Sequence, residues 1–201
     1  MPLKLLAHAK QRLAPELNPQ QRQQLVLAMA ADVLEAVRTS QRIDHILLIS
    51  RNAEAKALAR DCDAEIFAET EEADLPQALV QAIAYASNRN ASGVCIIPAD
   101  APLIHASDVD QLLCDHQVCS VVPDAQFSGT NALVLTPPQV LEPIFDGRSF
   151  VPHIQAAVAS GLPVRVFATP RFSLDIDTPE DLQTLQDSQA DTHAKAYLGS
   201  V

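Results

Sequence analysis

Short apolar runs alternate with helix-like stretches along most of this chain. The stretch NPQQRQQLVLAMAADVLEAVRTS predicts a helix capped by Asn18, with Pro19 at its first position. Six runs are short enough for buried strands: IDHILLIS, AEIFAE, GVCIIP, VCSVVP, NALVL and VRVFA. Most are separated by predicted helices of roughly ten residues, which indicates βαβ units. The sequence therefore predicts an α/β fold: a three-layer, doubly wound, mostly parallel, mixed sheet.

The 201 residues contain no linker-like segment, so a single domain over residues 1–201 is predicted. Two end regions stand out. Only MPL precedes Lys4, so the first strand of such a fold is expected to be largely absent. Residues from about 190 to 201 show no apolar period and are expected to fray.

Composition excludes several classes of protein. The formal charge of -11 argues against sequence-independent nucleic-acid binding. No apolar run approaches the length of a membrane span, and the N-terminus does not resemble a signal peptide, so we expect a cytoplasmic protein with no membrane partner. The four cysteines form no C-x-x-C pair, and the six histidines show no zinc-like spacing.

Three places can carry chemistry, because ligands of open α/β sheets bind beyond the carboxyl ends of the strands. The first is LKLLAHAKQRL, in which Lys4, Lys10 and Arg12 form a cationic group in an otherwise acidic protein. Clustered cations on such a loop suit a polyphosphate. A solvated loop near the N-terminus is the alternative.

The other two places carry acids. Asp100 follows the strand GVCIIP, where it is either a Mg²⁺ ligand or a turn aspartate. In FSLDIDTPEDL, an extended run from Phe172 directs Asp175 and Asp177 to one face, while Thr178 caps the last helix. Three acids at one sheet edge need a counter-charge, which a divalent metal would supply.

Glycine-rich nucleotide motifs are absent. None of the five glycines falls in G-x-G-x-x-G or in a P-loop, and no G-x-S-x-G elbow occurs. Rossmann dehydrogenases, Walker-type ATPases and α/β-hydrolases are therefore disfavoured.

An ordered set of motifs resembles one family: Lys4, AKQRLAP, IIPADAPLI, SGTNALVL, FDGRSF, GLPVRVF and SLDIDTPEDL. It is the 2-phospho-L-lactate guanylyltransferase family of coenzyme F-420 biosynthesis, which includes members acting on phosphoenolpyruvate or 3-phospho-D-glycerate. The resemblance runs from Lys4 to about Leu185. It implies a nucleotide-diphospho-sugar transferase (GT-A-like) fold, GTP and a phosphorylated three-carbon acid as substrates, Mg²⁺ as cofactor, and a downstream transferase that accepts the product. A homodimer is expected by analogy.

The resemblance also implies site residues. The triphosphate-binding cations would be Lys4, Lys10 and Arg12. The metal-binding acids would be Asp100, Asp175 and Asp177. The acceptor-binding residues would be Gly129, Thr130, Asn131, Gly147 and Ser149. In EADLPQAL, Asp74 and Pro76 stand where the family usually has glycine and asparagine, so that nucleotide contact is not carried over.

Two other functions compete with this one. A related molybdopterin or sugar-phosphate nucleotidyltransferase would usually carry a Gly-rich N-terminal loop, which the sequence lacks. A non-catalytic nucleotide-binding subunit would bind GTP without turnover. Side-by-side assay of the three acceptors tests guanylyl transfer and identifies the acceptor.

Overall fold

A computed structural model describes residues 1–3 and 10–201 of the chain. In that part, a 3-10 turn at Gln11–Leu13 precedes the first helix. The strands are β1 Leu47–Ile49, β2 Glu65–Phe67, β3 Val94–Ile96, β4 Cys119–Pro123, β5 Thr130–Leu135 and β6 Val164–Val166. The helices are α1 Pro19–Thr39, α2 Ala53–Asp61, α3 Leu75–Asn88, α4 Ala106–Cys114, α5 Phe150–Ala159, α6 Pro170–Ser173, α7 Pro179–Asp187 and α8 His193–Leu198. The predicted mixed α/β fold is confirmed.

Strand pairing is both parallel and antiparallel. Strands β1 and β2 pair in parallel, and a four-stranded sheet has the order β3-β5-β4-β6. In that sheet β4 and β6 are parallel, whereas β5 runs antiparallel to both of its neighbours. Antiparallel pairing is thus more extensive than the element order predicts, because β5 follows β4 through a short loop and inserts between β3 and β4.

The side chains of β4 and β5 show why the fold has three layers. Val121 and Leu133 pack in the apolar cluster that contains residues of α3 and α5. Val122 and Ala132 point the other way, into the cluster that contains residues of α1 and α4. Alternate residues of a strand face opposite sides, so both faces of the sheet are buried under helices.

The first three residues pair with β1. Pro2 makes a parallel bridge with Ile49, and the amide of Leu3 donates to the carbonyl of Ile49 at 2.9 Å. The Met1 amine donates to the carbonyl of Leu47 at 2.8 Å. The prediction that the first strand is largely absent stays a prediction, because residues 4–9 lie outside the described part.

Two predicted helix starts are confirmed in detail. Asn18 caps α1 by accepting from the amide of Gln21, with Pro19 at the first helical position. Thr178 caps α7 in the same way, and the Asp181 carboxylate reaches back to the Thr178 amide. Both are capping boxes, which satisfy amide groups that a helix leaves unpaired at its start. Among the described residues, no helix has both the length and the apolar character needed to cross a membrane.

The prediction that residues beyond about 190 fray is wrong. His193–Leu198 forms α8, and Ala194 and Leu198 are buried against the core. The Asp32 carboxylate of α1 accepts from the amides of His193 at 2.6 Å and Ala194 at 3.0 Å. Six residues are too few to show an apolar period, and the acid that anchors them lies 161 residues earlier.

We expect Asp32→Ala to detach α8 selectively. The substitution leaves two helix-start amides without their carboxylate acceptor, which costs about 1–2 kcal/mol of unfolding free energy. Hydrogen exchange of residues 193–198 should accelerate more than exchange elsewhere. The control is Asp191→Ala, which removes an exposed acid just before the helix. Equal exchange in the two variants would contradict the anchor.

Candidate active site

The two acidic segments meet beyond the end of β3. Asp100 lies in the turn after β3, and its carbonyl accepts from the amide of Ile176 at 2.9 Å. This bond places Asp100 beside Asp175 and Asp177, which flank Ile176. The predicted extended run from Phe172 is wrong at its start, because Pro170–Ser173 is helical; Thr169 caps it and Pro170 suits its first position.

Two cations pair with these acids. The ammonium of Lys10 lies 2.7 Å from Asp100 Oδ2 and 3.3 Å from Asp177 Oδ1. The guanidinium of Arg12 lies 2.9 Å from Asp177 Oδ2. The Lys10 side chain is 9% exposed, whereas that of Arg12 is 72% exposed. Lys10 is thus enclosed by the acids, and Arg12 faces solvent, where an anionic ligand can reach it.

The charges of this group act on one another. Burial by itself lowers the pKa of Lys10, but the carboxylates of Asp100, Asp177 and Asp175 outweigh it and raise the pKa. Burial raises the pKa of Asp175; the Asn131 amide opposes this rise and the Asp100 carboxylate adds to it. Lys10 therefore provides the positive charge that the acids require.

The backbone of Lys10 is left-handed (φ 52), a conformation that is uncommon for a residue other than glycine.

Asn131 holds one of the acids. Its amide donates to Asp175 Oδ1 at 3.1 Å and to the carbonyl of Phe172 at 3.0 Å. The side chain is buried at the start of β5. Asn131 thus fixes the carboxylate of Asp175, and its predicted contact with the acceptor stays a prediction.

The remaining predicted acceptor residues lie together around the start of β5. Ser149 Oγ donates to Thr130 Oγ1 at 3.0 Å, which joins the FDGRSF segment to β5. A Cβ on Gly129 would lie 3.7 Å from the carbonyl oxygen of Gly147. Gly147 itself has φ +86, a conformation that favours glycine. The structure thus brings Gly129, Thr130, Gly147 and Ser149 into one group.

Two residues of this region were missed in the sequence. Asp124 accepts from the amides of Gln126, Ser128 and Gly129, and so fixes the β4–β5 loop. His153 is fully buried in α5 and contacts Thr130. Asp124 followed by a short polar loop resembles an Asx turn, a signal that could have identified it. An isolated histidine in a helix gives no comparable signal.

Comparison with known proteins identifies the family. The family model described as "Guanylyl transferase CofC like" matches residues 1–201. This chain belongs to that family. Guanylyl transfer, the reaction class that the sequence predicts, is therefore the activity of the family to which it belongs.

Curated relatives agree with this assignment. The phosphoenolpyruvate guanylyltransferase of Conexibacter woesei is 34% identical over 192 residues, which are 93% of this chain and 86% of the relative. The 2-phospho-L-lactate guanylyltransferase of Methanothermobacter thermautotrophicus is 36% identical over 200 residues, 98% of this chain and 87% of the relative.

A solved structure supports the fold. The crystal structure of a protein from Desulfovibrio desulfuricans G20, described as a nucleotide-diphospho-sugar transferase, has a TM-score of 0.76 at 18% identity. The likeness covers 96% of this chain and 88% of that one. The nucleotide-diphospho-sugar transferase fold predicted from the motifs is thus confirmed.

The guanylyltransferase acids have the chemistry that Mg²⁺ prefers. Carboxylate oxygens are its usual protein ligands, and Asp100, Asp175 and Asp177 provide them in a half-exposed group. Among residues 1–3 and 10–201, however, no three His, Cys, Asp or Glu side chains are arranged as a metal site. Lys10 lies between Asp100 and Asp177, so a metal ion bound by both requires Lys10 to move. The predicted cation Lys4 lies outside the described residues.

We expect Gly129→Ala to disturb the group around Thr130. The added Cβ would lie 2.9 Å from Asp124 Oδ2, too close for a carboxylate held by three amides. The loop must shift, so the Michaelis constant for the acceptor should rise about tenfold and stability should fall by about 1–2 kcal/mol. Steady-state kinetics and thermal melting measure both. At Gly199 the added Cβ would meet only ordinary contacts of 3.6 Å or more, so Gly199→Ala is the control. Equal kinetics in both variants would contradict this expectation.

Proposed function

We propose that this protein transfers the guanylyl group of GTP to a phosphorylated three-carbon acid and releases pyrophosphate. An acceptor phosphate oxygen forms a bond to the α-phosphorus of GTP, and the bond from that phosphorus to the α,β-bridging oxygen breaks. The electron pair leaves with pyrophosphate. No general base is needed, because the acceptor phosphate is already ionised at neutral pH.

The observation that carries this proposal is the meeting of Asp100, Asp175 and Asp177 with Lys10 and Arg12. Arg12 is exposed and suits a phosphate oxygen. Lys10 is available to a triphosphate once its contacts with Asp100 and Asp177 are exchanged for phosphate oxygens. Cations placed beside the reacting phosphorus stabilise the charge that develops on its oxygens.

Mg²⁺ is part of the proposal. Asp100, Asp175 and Asp177 would hold it, and Lys10 would pass from the acids to the triphosphate. When bound, Mg²⁺ would polarise the phosphoryl oxygens as a Lewis acid. Asn131 holds the Asp175 carboxylate in place for this role.

The acceptor would lie at the group formed by Gly129, Thr130, Gly147 and Ser149. The names of the relatives support phosphoenolpyruvate and 2-phospho-L-lactate as acceptors, and 3-phospho-D-glycerate remains the third candidate. The guanylylated product would be consumed by a downstream transferase in F-420 biosynthesis. The cytoplasmic location and the homodimer stay predictions.

The experiment supplies GTP, Mg²⁺ and each of the three acceptors in turn, and measures pyrophosphate and the guanylylated product by chromatography. ATP, CTP and UTP replace GTP in parallel. We expect pyrophosphate with GTP and at least one acceptor. Turnover only with another nucleotide, or only with a sugar phosphate supplied in a parallel reaction, would support the alternative nucleotidyltransferases. GTP binding without turnover would support a non-catalytic subunit, and either result would overturn the proposal.

A further inference from the structure

A buried histidine stands behind the proposed acceptor site. His153 in the first turn of α5 is 0% exposed. Its Nδ1 lies 2.9 Å from Thr130 Oγ1, and its Nε2 accepts from the amide of Ile144 at 2.7 Å. The Ser149 hydroxyl completes the group by donating to Thr130 Oγ1. The ring therefore ends a chain of polar contacts that runs to two predicted acceptor residues.

The contact with Ile144 determines which ring nitrogen carries the proton. A backbone amide can only donate, so Nε2 must be the unprotonated nitrogen. The ring proton then lies on Nδ1 and is donated to Thr130. Burial lowers the pKa of His153 to about 4, which agrees with a neutral ring at physiological pH.

Counting protons shows what this arrangement leaves for a ligand. His153 Nδ1, Thr130 and Ser149 have one proton each, and two of the three are used in the contacts within the group. One hydroxyl proton remains for an outside acceptor. With Ser149 donating to Thr130, that proton belongs to Thr130, which is 6% exposed against 1% for Ser149.

We propose that His153 is a positioning residue that keeps the Thr130 hydroxyl as a hydrogen-bond donor to an anionic oxygen of the phosphorylated acid. Nδ1 of His153 and the Ser149 hydroxyl both donate to Thr130 Oγ1, so the hydroxyl proton of Thr130 is left for a ligand. Without the Nδ1 donor, Thr130 is free to turn its proton toward His153 and to present a lone pair that repels an anion. The inference rests on the proposed function.

Two substitutions test the contacts of Nδ1 and Nε2 of His153 separately. In His153→Asn the amide nitrogen can take the place of Nδ1 and still donate to Thr130, but the contact with Ile144 is lost. In His153→Gln the amide oxygen can take the place of Nε2 and still accept from Ile144, but the donor to Thr130 is lost. We expect His153→Gln to raise the Michaelis constant for the acceptor about tenfold, and His153→Asn to change it less than about threefold. The Michaelis constant for GTP should stay unchanged in both.

Thr130→Val tests the donor directly, because it removes the hydroxyl while keeping the shape. It should raise the Michaelis constant for the acceptor at least as much as His153→Gln does. Thr130→Ser keeps the hydroxyl, so its Michaelis constant for the acceptor should stay close to the wild-type value. Thr130→Val also decides the matter if both His153 variants fail to fold: an unchanged acceptor constant then overturns the proposal.

The chain contains a matched control. His116 likewise contacts two hydroxyl groups, those of Ser120 and Thr136, at the opposite end of β4 and β5. That end is about 20 Å from Thr130 along the strand. His116→Gln should leave both Michaelis constants unchanged, even if the melting temperature falls.

The outcomes are distinguishable from failure of the proposed function. If the wild-type protein transfers no guanylyl group, the proposed function is wrong. If the wild type is active but His153→Asn and His153→Gln have equal acceptor constants, the role assigned to His153 is wrong. A merely structural role predicts that effects on the acceptor and on GTP follow the loss of stability in every variant.

Discussion

Asp177→Asn is expected to lower kcat/KM for guanylyl transfer by about a thousandfold or more while the protein stays folded. The carboxylate of Asp177 contacts both Lys10 and Arg12, and it is one of the three oxygen-donating groups proposed to hold Mg²⁺. The amide has the same shape but no charge, so it weakens all of these interactions. Initial rates of pyrophosphate release, with thermal melting on the same samples, measure activity and folding separately.

The control for this prediction is Asp187→Asn. Asp187 ends α7, the helix that begins two residues after Asp177, and its carboxylate accepts an exposed hydrogen bond from Gln183. Asp187→Asn should change the rate of guanylyl transfer less than twofold. A rate for Asp177→Asn within about tenfold of the wild type would mean that Asp177 is a surface acid that pairs with Lys10 and Arg12 but takes no part in the reaction.

Lys10→Met should also lower the rate of guanylyl transfer, by about a hundredfold to a thousandfold. It should also lower the stability of the protein, and added Mg²⁺ should reverse this loss. The substitution leaves three carboxylates without their enclosed counter-charge. Breaking a fully buried ion pair costs more stability than this, but Asp100 and Asp177 retain access to water. We therefore expect the free energy of unfolding to fall by about 1–2 kcal/mol. Added Mg²⁺ should raise the melting temperature of Lys10→Met more than that of the wild type.

The pH dependence of this loss follows from Asp175. Burial raises its pKa in the folded protein, and the charge of Lys10 opposes that rise, so Lys10→Met raises the pKa further. A folded carboxyl with a raised pKa binds more protons than the unfolded chain, so stability falls as pH rises through the window between the two values. The variant should therefore be close to the wild type near about pH 4 and clearly weaker at pH 7.

Lys10→Arg is the control, because it keeps the charge. Chemical denaturation at a series of pH values, with and without Mg²⁺, provides the measurement. A loss of stability that is independent of pH and of Mg²⁺ would show that Lys10 contributes packing alone, and would contradict its role as the counter-charge of the acids.

Much of the fold was predictable, because local sequence determines it. The apolar runs gave the six strands, and Asn18 and Thr178 marked helix starts through side chains that act within three residues. The order of strands within the sheet was less accessible. The place of β5 between β3 and β4 depends on its antiparallel pairing with β3, a segment far from it in sequence, and α8 depends on the distant Asp32.

The candidate site was also only partly predictable from the sequence. Of the predicted site residues, Asp100 and Asp177 contact Lys10 and Arg12. Their roles in binding stay predictions, and Lys4 lies outside the described residues. The motifs do not indicate that Lys10 is enclosed by the acids, or that Asn131 holds Asp175. Those contacts join residues 90 and 44 positions apart, and they follow from the packing of loops. His153 was missed for the same reason.

The most direct test of guanylyl transfer is to find which bond of GTP breaks and which oxygen replaces it. The wild-type protein is given GTP, Mg²⁺ and phosphoenolpyruvate labelled with ¹⁸O in its phosphate, and the products are followed by ³¹P NMR. We predict equal amounts of unlabelled pyrophosphate and of a product whose new P–O–P bridge carries ¹⁸O. The same experiment covers the other two acceptors. Release of inorganic phosphate with GDP, or absence of a labelled bridge with all three acceptors, would contradict transfer at the α-phosphorus.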